Sequence, residues 1–112
     1  MKFLLEGSIK DWNIEQIIGY KPKTTYYTDF SIADQFGESA IRDTYKRAMQ
    51  YAKTDYVYLT ELVMALNWKI WEHYETNEAL AQVYNELWGE ADEYAMNNLK
   101  GDELSYFFEI TD

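Results

Sequence analysis

The chain contains no cysteine, a single proline and a single histidine, and each shortage removes a class of explanation. Without cysteine there is no disulfide framework, no thiolate metal centre and no cysteine nucleophile, a composition that fits a reducing compartment. The one histidine, His73, has no serine at a recognisable local spacing, and no Gly-x-Ser-x-Gly elbow occurs. The five glycines are scattered, so neither the dinucleotide fingerprint nor the phosphate-binding loop is present. No apolar run approaches the ~20 residues that span a bilayer. MKFLLEGSIK has too short an apolar stretch before Glu6 to serve as a signal-peptide core. These absences predict a cytoplasmic protein with no membrane partner and no cofactor.

What is present is aromatic and acidic. Aromatic residues make up 18% of the 112 residues, eleven of them tyrosine. Tyrosine buries its ring while its hydroxyl stays hydrated, which suits core edges and interfaces alike. The formal net charge of −10 is unevenly placed: residues 1–53 hold eight Lys/Arg against seven Asp/Glu, and residues 54–112 hold two lysines against thirteen acids. A half-chain so negative repels nucleic-acid phosphates and anionic lipid, so direct nucleic-acid binding is not expected. The length predicts one domain, 1–112, large enough to bury a core without covalent staples.

Hydrophobic periodicity predicts an all-α bundle of four to six helices around a long antiparallel pair, about 55–75 and 77–100. Residues 1–12 read as an extended or frayed arm, followed by a short helix from Asn13 to Gly19 and a loop over 20–25 around the one proline. A helix over FSIADQF follows, capped by Thr28 or Asp29 and closed by Gly37, then one from about Ser39 to Ala52. In the fourth helix Tyr56, Leu59, Val63, Leu66, Ile70 and Tyr74 recur at steps of three and four. Leu62, Trp68 and Trp71 widen that arc, which makes this helix the central one. The fifth repeats the pattern, with Glu78 and Lys100 matched to the helix dipole. Gly89 interrupts it, and close approach of a neighbouring helix is the expected reason. Asp102 starts a last short helix through Leu104, Phe107 and Phe108.

Few side chains form a recognisable chemical constellation. His73 follows Glu72, but neighbours on a helix point about 100° apart, so the two are not expected to converge; a helical di-iron pattern would need a glutamate where Ile70 stands. Glu86, Glu90 and Glu93 share a face, and with Glu72 or Glu75 from the facing helix they could collect a hard cation, although a solvated acidic face needs no metal. Arg42, Lys46 and Lys53, with Arg47 and the loop lysines Lys21 and Lys23, form the one basic group, a candidate anion contact or a partner for the protein's own acids. Glu72, Glu75, Glu86, Glu90, Glu93 and Trp88 make up the candidate interaction surface, one suited to a positively charged protein.

Two stretches, TTYYTDFSIADQFGESAIRDTY and YLTELVMALNWKIWEHYETNEALAQVYNELWGEADEYA, together with the closing LSYFFEITD, resemble a family of short uncharacterised proteins of gut-type bacterial genomes, often found in mobile or phage-like DNA. The resemblance covers the chain from about Gly19 onward. It carries no catalytic residue, cofactor or activity, and implies only a setting in which small accessory and inhibitor proteins are common.

The leading expectation is therefore a non-enzymatic acidic interaction protein whose partner is a basic protein. A homo-oligomer using exposed tyrosine and tryptophan is a second reading. A metal-dependent enzyme built on Glu86, Glu90 and His73 is a third.

Overall fold

The computed structural model describes residues 23–111, in which five helices and no strand are found. They are α1 (Tyr26–Ala33), α2 (Glu38–Ala52), α3 (Tyr56–His73), α4 (Glu78–Asn98) and α5 (Asp102–Thr111). The arm over 1–12, the helix from Asn13 to Gly19 and Lys21 lie outside the described residues. No described helix is long and apolar enough to cross a membrane.

The fold is centred on α3. It packs against each of the other four helices, and its buried residues run almost all round it: Leu59, Thr60, Glu61, Leu62, Val63, Met64, Ala65, Leu66, Trp68, Lys69 and His73. This agrees with the central position expected from its wide apolar arc. Asp55 caps its start by accepting from Val57 N at 2.8 Å. After His73 the chain turns through Thr76 and Asn77, whose amides both donate to the His73 carbonyl, and the Asn77 side chain caps α4 by accepting from Leu80 N. So short a connection returns α4 antiparallel along α3, as the periodicity indicates. Side-chain oxygens at both caps take up amides that a helix start would otherwise leave without a partner.

The remaining helices differ from expectation in detail. Helix α1 begins at Tyr26, ahead of the predicted Thr28 or Asp29 cap, and Asp29 instead sits in its first turn, where Thr25 Oγ1 donates to its carboxylate. The helix ends at Ala33, and a turn leads to Gly37, whose φ of 102° is one that residues with a Cβ rarely adopt. Phe30, fully buried on α1, meets Tyr84 of α4 edge-to-face with ring centroids 5.5 Å apart. Tyr26 is pinned to α2 through its hydroxyl and the Ala48 carbonyl, and burial pushes its phenol up to about 12. Gly89 does not mark a close approach: a Cβ built there would meet nothing within 4 Å. Trp71 and Tyr74, read as part of the apolar arc, are exposed at the far end of α3.

Candidate functional site

Leu59, Leu62 and Leu66 form one stripe of α3, and the same steps of three and four continue it to Lys69 and His73. The stripe faces the core throughout, so a lysine ammonium and an imidazole are carried into the interior between α1 and α4. Lys69 is fully buried. An ammonium has three protons, and three acceptors surround this one: Asp34 Oδ2 at 2.6 Å, Glu72 Oε2, and Ser31 Oγ at 3.1 Å. The rings of Tyr27 and Tyr84 lie 5.2 and 5.8 Å from it, close enough for their π faces to add attraction.

The acids around Lys69 have further partners of their own. Asp34, just past the end of α1, accepts from Lys69, from Tyr84 Oη, and from His73 Nε2 across 2.8 Å. Burial alone would raise its carboxyl, but hydrogen bonds from His73, Lys69 and Tyr84 outweigh burial and hold it below the usual carboxylate range. Glu72 accepts from Tyr27 Oη at 2.6 Å as well as from Lys69. Burial, followed by the bonded carboxylates, pushes the phenols of Tyr27 and Tyr84 far above their ordinary value, so both remain proton donors. The His73 ring stacks on Tyr84 with centroids 5.8 Å apart and planes 8° from parallel. Side-chain exposure is 9% at Glu72, 11% at His73 and 14% at Asp34, so these three retain slight contact with solvent while Lys69 has none.

This arrangement overturns the expectation that His73 and Glu72 diverge. Neighbouring helix positions point about 100° apart, yet both side chains are long enough for Glu72 Oε2 to lie 3.4 Å from His73 Nε2. Glu72 thus leaves the proposed outer surface and joins the interior. Asp34, Glu72 and His73 are the group of described side chains whose donor atoms could converge on a metal ion, whereas Glu86, Glu90 and His73 are not brought together. Sequence reasoning passed over Asp34 and Lys69. The signal for Lys69 was its place on the leucine stripe of α3; nothing local distinguishes Asp34.

A second carboxylate is buried on α3 away from this group. Glu61 accepts from the backbone amides of Lys23 and Thr24 at 2.9–3.0 Å and from Thr24 Oγ1 at 2.7 Å. The chain entering α1 is therefore fastened by one acid, and the turn leaving it by the Asp34 group.

The remaining predicted acids stay outside. Glu75, Glu86, Glu90 and Glu93 are exposed, and Trp88 is half-buried against the core. From Glu78 to Thr111 the two helices carry eight carboxylates, and Lys100 is the only cation in that span. Of the eight only Glu86 is ion-paired among the described residues, with Arg42 at 2.8 Å. Burial raises the carboxyl of Asp92, and burial together with the nearby Glu90 charge raises the Tyr45 phenol beneath the face. Exposed Met96 and Phe108 give the same two helices apolar surface. The basic group is dispersed: Arg42 bridges Glu38 and Glu86, Lys53 lies over the Tyr94 ring at 5.4 Å, and Lys46 is exposed. Among the described residues, Arg42, Lys46 and Lys53 share no common partner.

No protein-family model matches this chain, and neither a curated protein nor a solved structure matches it.

Proposed function

We propose that the protein is a non-enzymatic interaction module that docks a positively charged protein on the face formed by α4 and α5. The observation that carries this reading is the unbalanced charge of those helices: eight carboxylates, no cation within either helix, one lysine between them, and one ion pair to the rest of the described chain. A stretch so poor in cations has little to neutralise it internally, and its field steers a basic partner while repelling acidic ones. Met96, Phe108 and the edge of Trp88 supply the apolar contact that converts an encounter into a complex. In this reading the protein is a cytoplasmic accessory or inhibitor protein of a mobile element, and Glu75, Glu86, Glu90 and Glu93 border the contact. The Asp34–Lys69 group serves to fix α1, because every charged member is already partnered.

The test is affinity capture followed by binding measurements with each purified basic protein recovered, across a salt series. Glu90→Lys combined with Glu93→Lys is expected to weaken binding at least tenfold at low salt, and rising salt to weaken the parent chain more than the variant. Equal binding by the two chains, or binding indifferent to salt, refutes the reading.

A second reading rests on a different surface. Ile32, Phe36 and Tyr51 are exposed around a groove of about 620 Å³ between α1 and α2, a face a second copy of the chain could cover. Sedimentation as a strict monomer at high concentration would remove it, and so would a dimer that Phe36→Asp leaves intact.

A further inference from the structure

We infer that the interior group formed by Asp34, Glu72 and His73 is a metal-type cation site whose resident cation is the protein's own Lys69. The donor set is two carboxylate oxygens and one imidazole nitrogen, the mixture that suits a zinc-like divalent ion. Around a tetrahedral zinc with bonds of about 2.0 Å, neighbouring ligand atoms lie about 3.3 Å apart. Here the three donor atoms lie within 4.8 Å of one another, with His73 Nε2 at 2.8 Å from Asp34 Oδ2, a hydrogen-bond distance shorter than that spacing, and at 3.4 Å from Glu72 Oε2. The donors are therefore gathered where a small rearrangement would let them share one ion, and a cation is already among them: the ammonium contacts both acids at hydrogen-bond range.

Lys69 keeps a divalent ion out. A metal bound by these donors would sit within a few ångströms of Nζ, and two like charges so close in a poorly solvated interior repel strongly. The ammonium has no retreat, since the whole side chain is buried among Tyr27, Ser31 and Tyr84. Removing its charge reverses the balance. Asp34 and Glu72 would then face each other with their main counter-charge gone, and a divalent ion reaching them along the exposed edges of Asp34 and His73 would restore it. In that state the His73 proton resides on Nδ1 and Nε2 offers its lone pair to the metal.

The experiment uses the untagged full chain and zinc chloride. Lys69→Met is expected to bind one zinc ion per chain by native mass spectrometry and to gain several degrees of melting temperature with the metal. The parent chain is expected to gain nothing under the same conditions. Adding Asp34→Asn or His73→Ala to Lys69→Met is expected to weaken zinc binding at least tenfold. Should Lys69→Met be unfolded without metal, recovery of the parental helical spectrum on adding zinc reads the same site, and Lys69→Gln, which is one atom shorter and keeps an uncharged donor, provides a second chain for the measurement. The inference is overturned if neither variant gains stability or structure from zinc, if the bound zinc survives loss of Asp34 and His73, or if the parent binds zinc as tightly as the variants.

Discussion

Asp34 and Arg42 each bond more than one side chain and each hold at least one ion pair, and truncating each to alanine separates the effect of burial from the number of partners. Asp34 accepts from Lys69, His73 and Tyr84, and the lysine it serves is fully buried. In Asp34→Ala the ammonium keeps Glu72 and Ser31, but one of its charged partners is lost where water hardly reaches. Breaking a buried ion pair from one side costs about 3–5 kcal/mol, a large fraction of the roughly 5–15 kcal/mol that holds a domain folded. At about 4 °C per kcal/mol, the melting temperature should fall by roughly 12–20 °C. Arg42 also bonds two carboxylates, Glu38 and Glu86, each at 2.8 Å, but all three side chains are largely exposed. Solvent and salt screen such pairs, so Arg42→Ala should melt close to the parent. Thermal and urea unfolding followed by circular dichroism measure both. Equal losses in the two variants, or a shift under about 2 °C in Asp34→Ala, would show that burial does not govern these pairs.

Three other outcomes follow from named residues. The folded-state carboxyl of Asp34 is held below its ordinary value, so its contribution is complete above about pH 4 and is lost as pH falls through the folded value. Melting temperature should drop steeply below about pH 4 in the parent, and Asp34→Asn should flatten that limb; parallel curves would contradict it. Gly89→Ala should stabilise by about 1 kcal/mol, because alanine is the better helix former and the space beside Gly89 is open; a lowered urea midpoint would mean that something does press on that face. Tyr84→Phe removes the hydroxyl that donates to Asp34 and should cost about 1–3 kcal/mol, with the Asp34 carboxyl shifting towards its ordinary value by carbon-detected titration.

The long helices were legible because their signals are local. The apolar steps of three and four from Leu59 to Leu66 act within one or two helical turns, and the structure places α3 and α4 accordingly. The exposed glutamates of α4 were legible for the same reason. Helix α1 was misplaced at its start because Thr25 and Asp29 bond one another, so the residue expected to cap lies inside the helix. The interior group was not legible because its members are brought together only by tertiary packing. Asp34 is separated from Lys69 and His73 by more than thirty residues, and no spacing rule links them. Lys69 gave a partial signal, a charged residue in register with three leucines, which read alone is indistinguishable from a lysine extending to solvent.

The fastenings of α1 have a consequence for the order of events along the folding pathway. Glu61 to Lys23 and Thr24, Tyr27 to Glu72, Asp34 to His73 and Asp34 to Tyr84 close loops of 37 to 50 residues, whereas α3 and α4 meet across a single turn. Distant closures cost chain entropy before any contact repays it. The α3–α4 hairpin is thus expected to assemble first and α1 to settle on it last. Interactions made after the rate-limiting barrier slow unfolding without hastening folding. In a denaturant chevron, Asp34→Ala should therefore raise the unfolding arm and leave the refolding arm nearly in place. The buried lysine and its acids would then set how long the native chain persists once formed, and have little bearing on how quickly it forms.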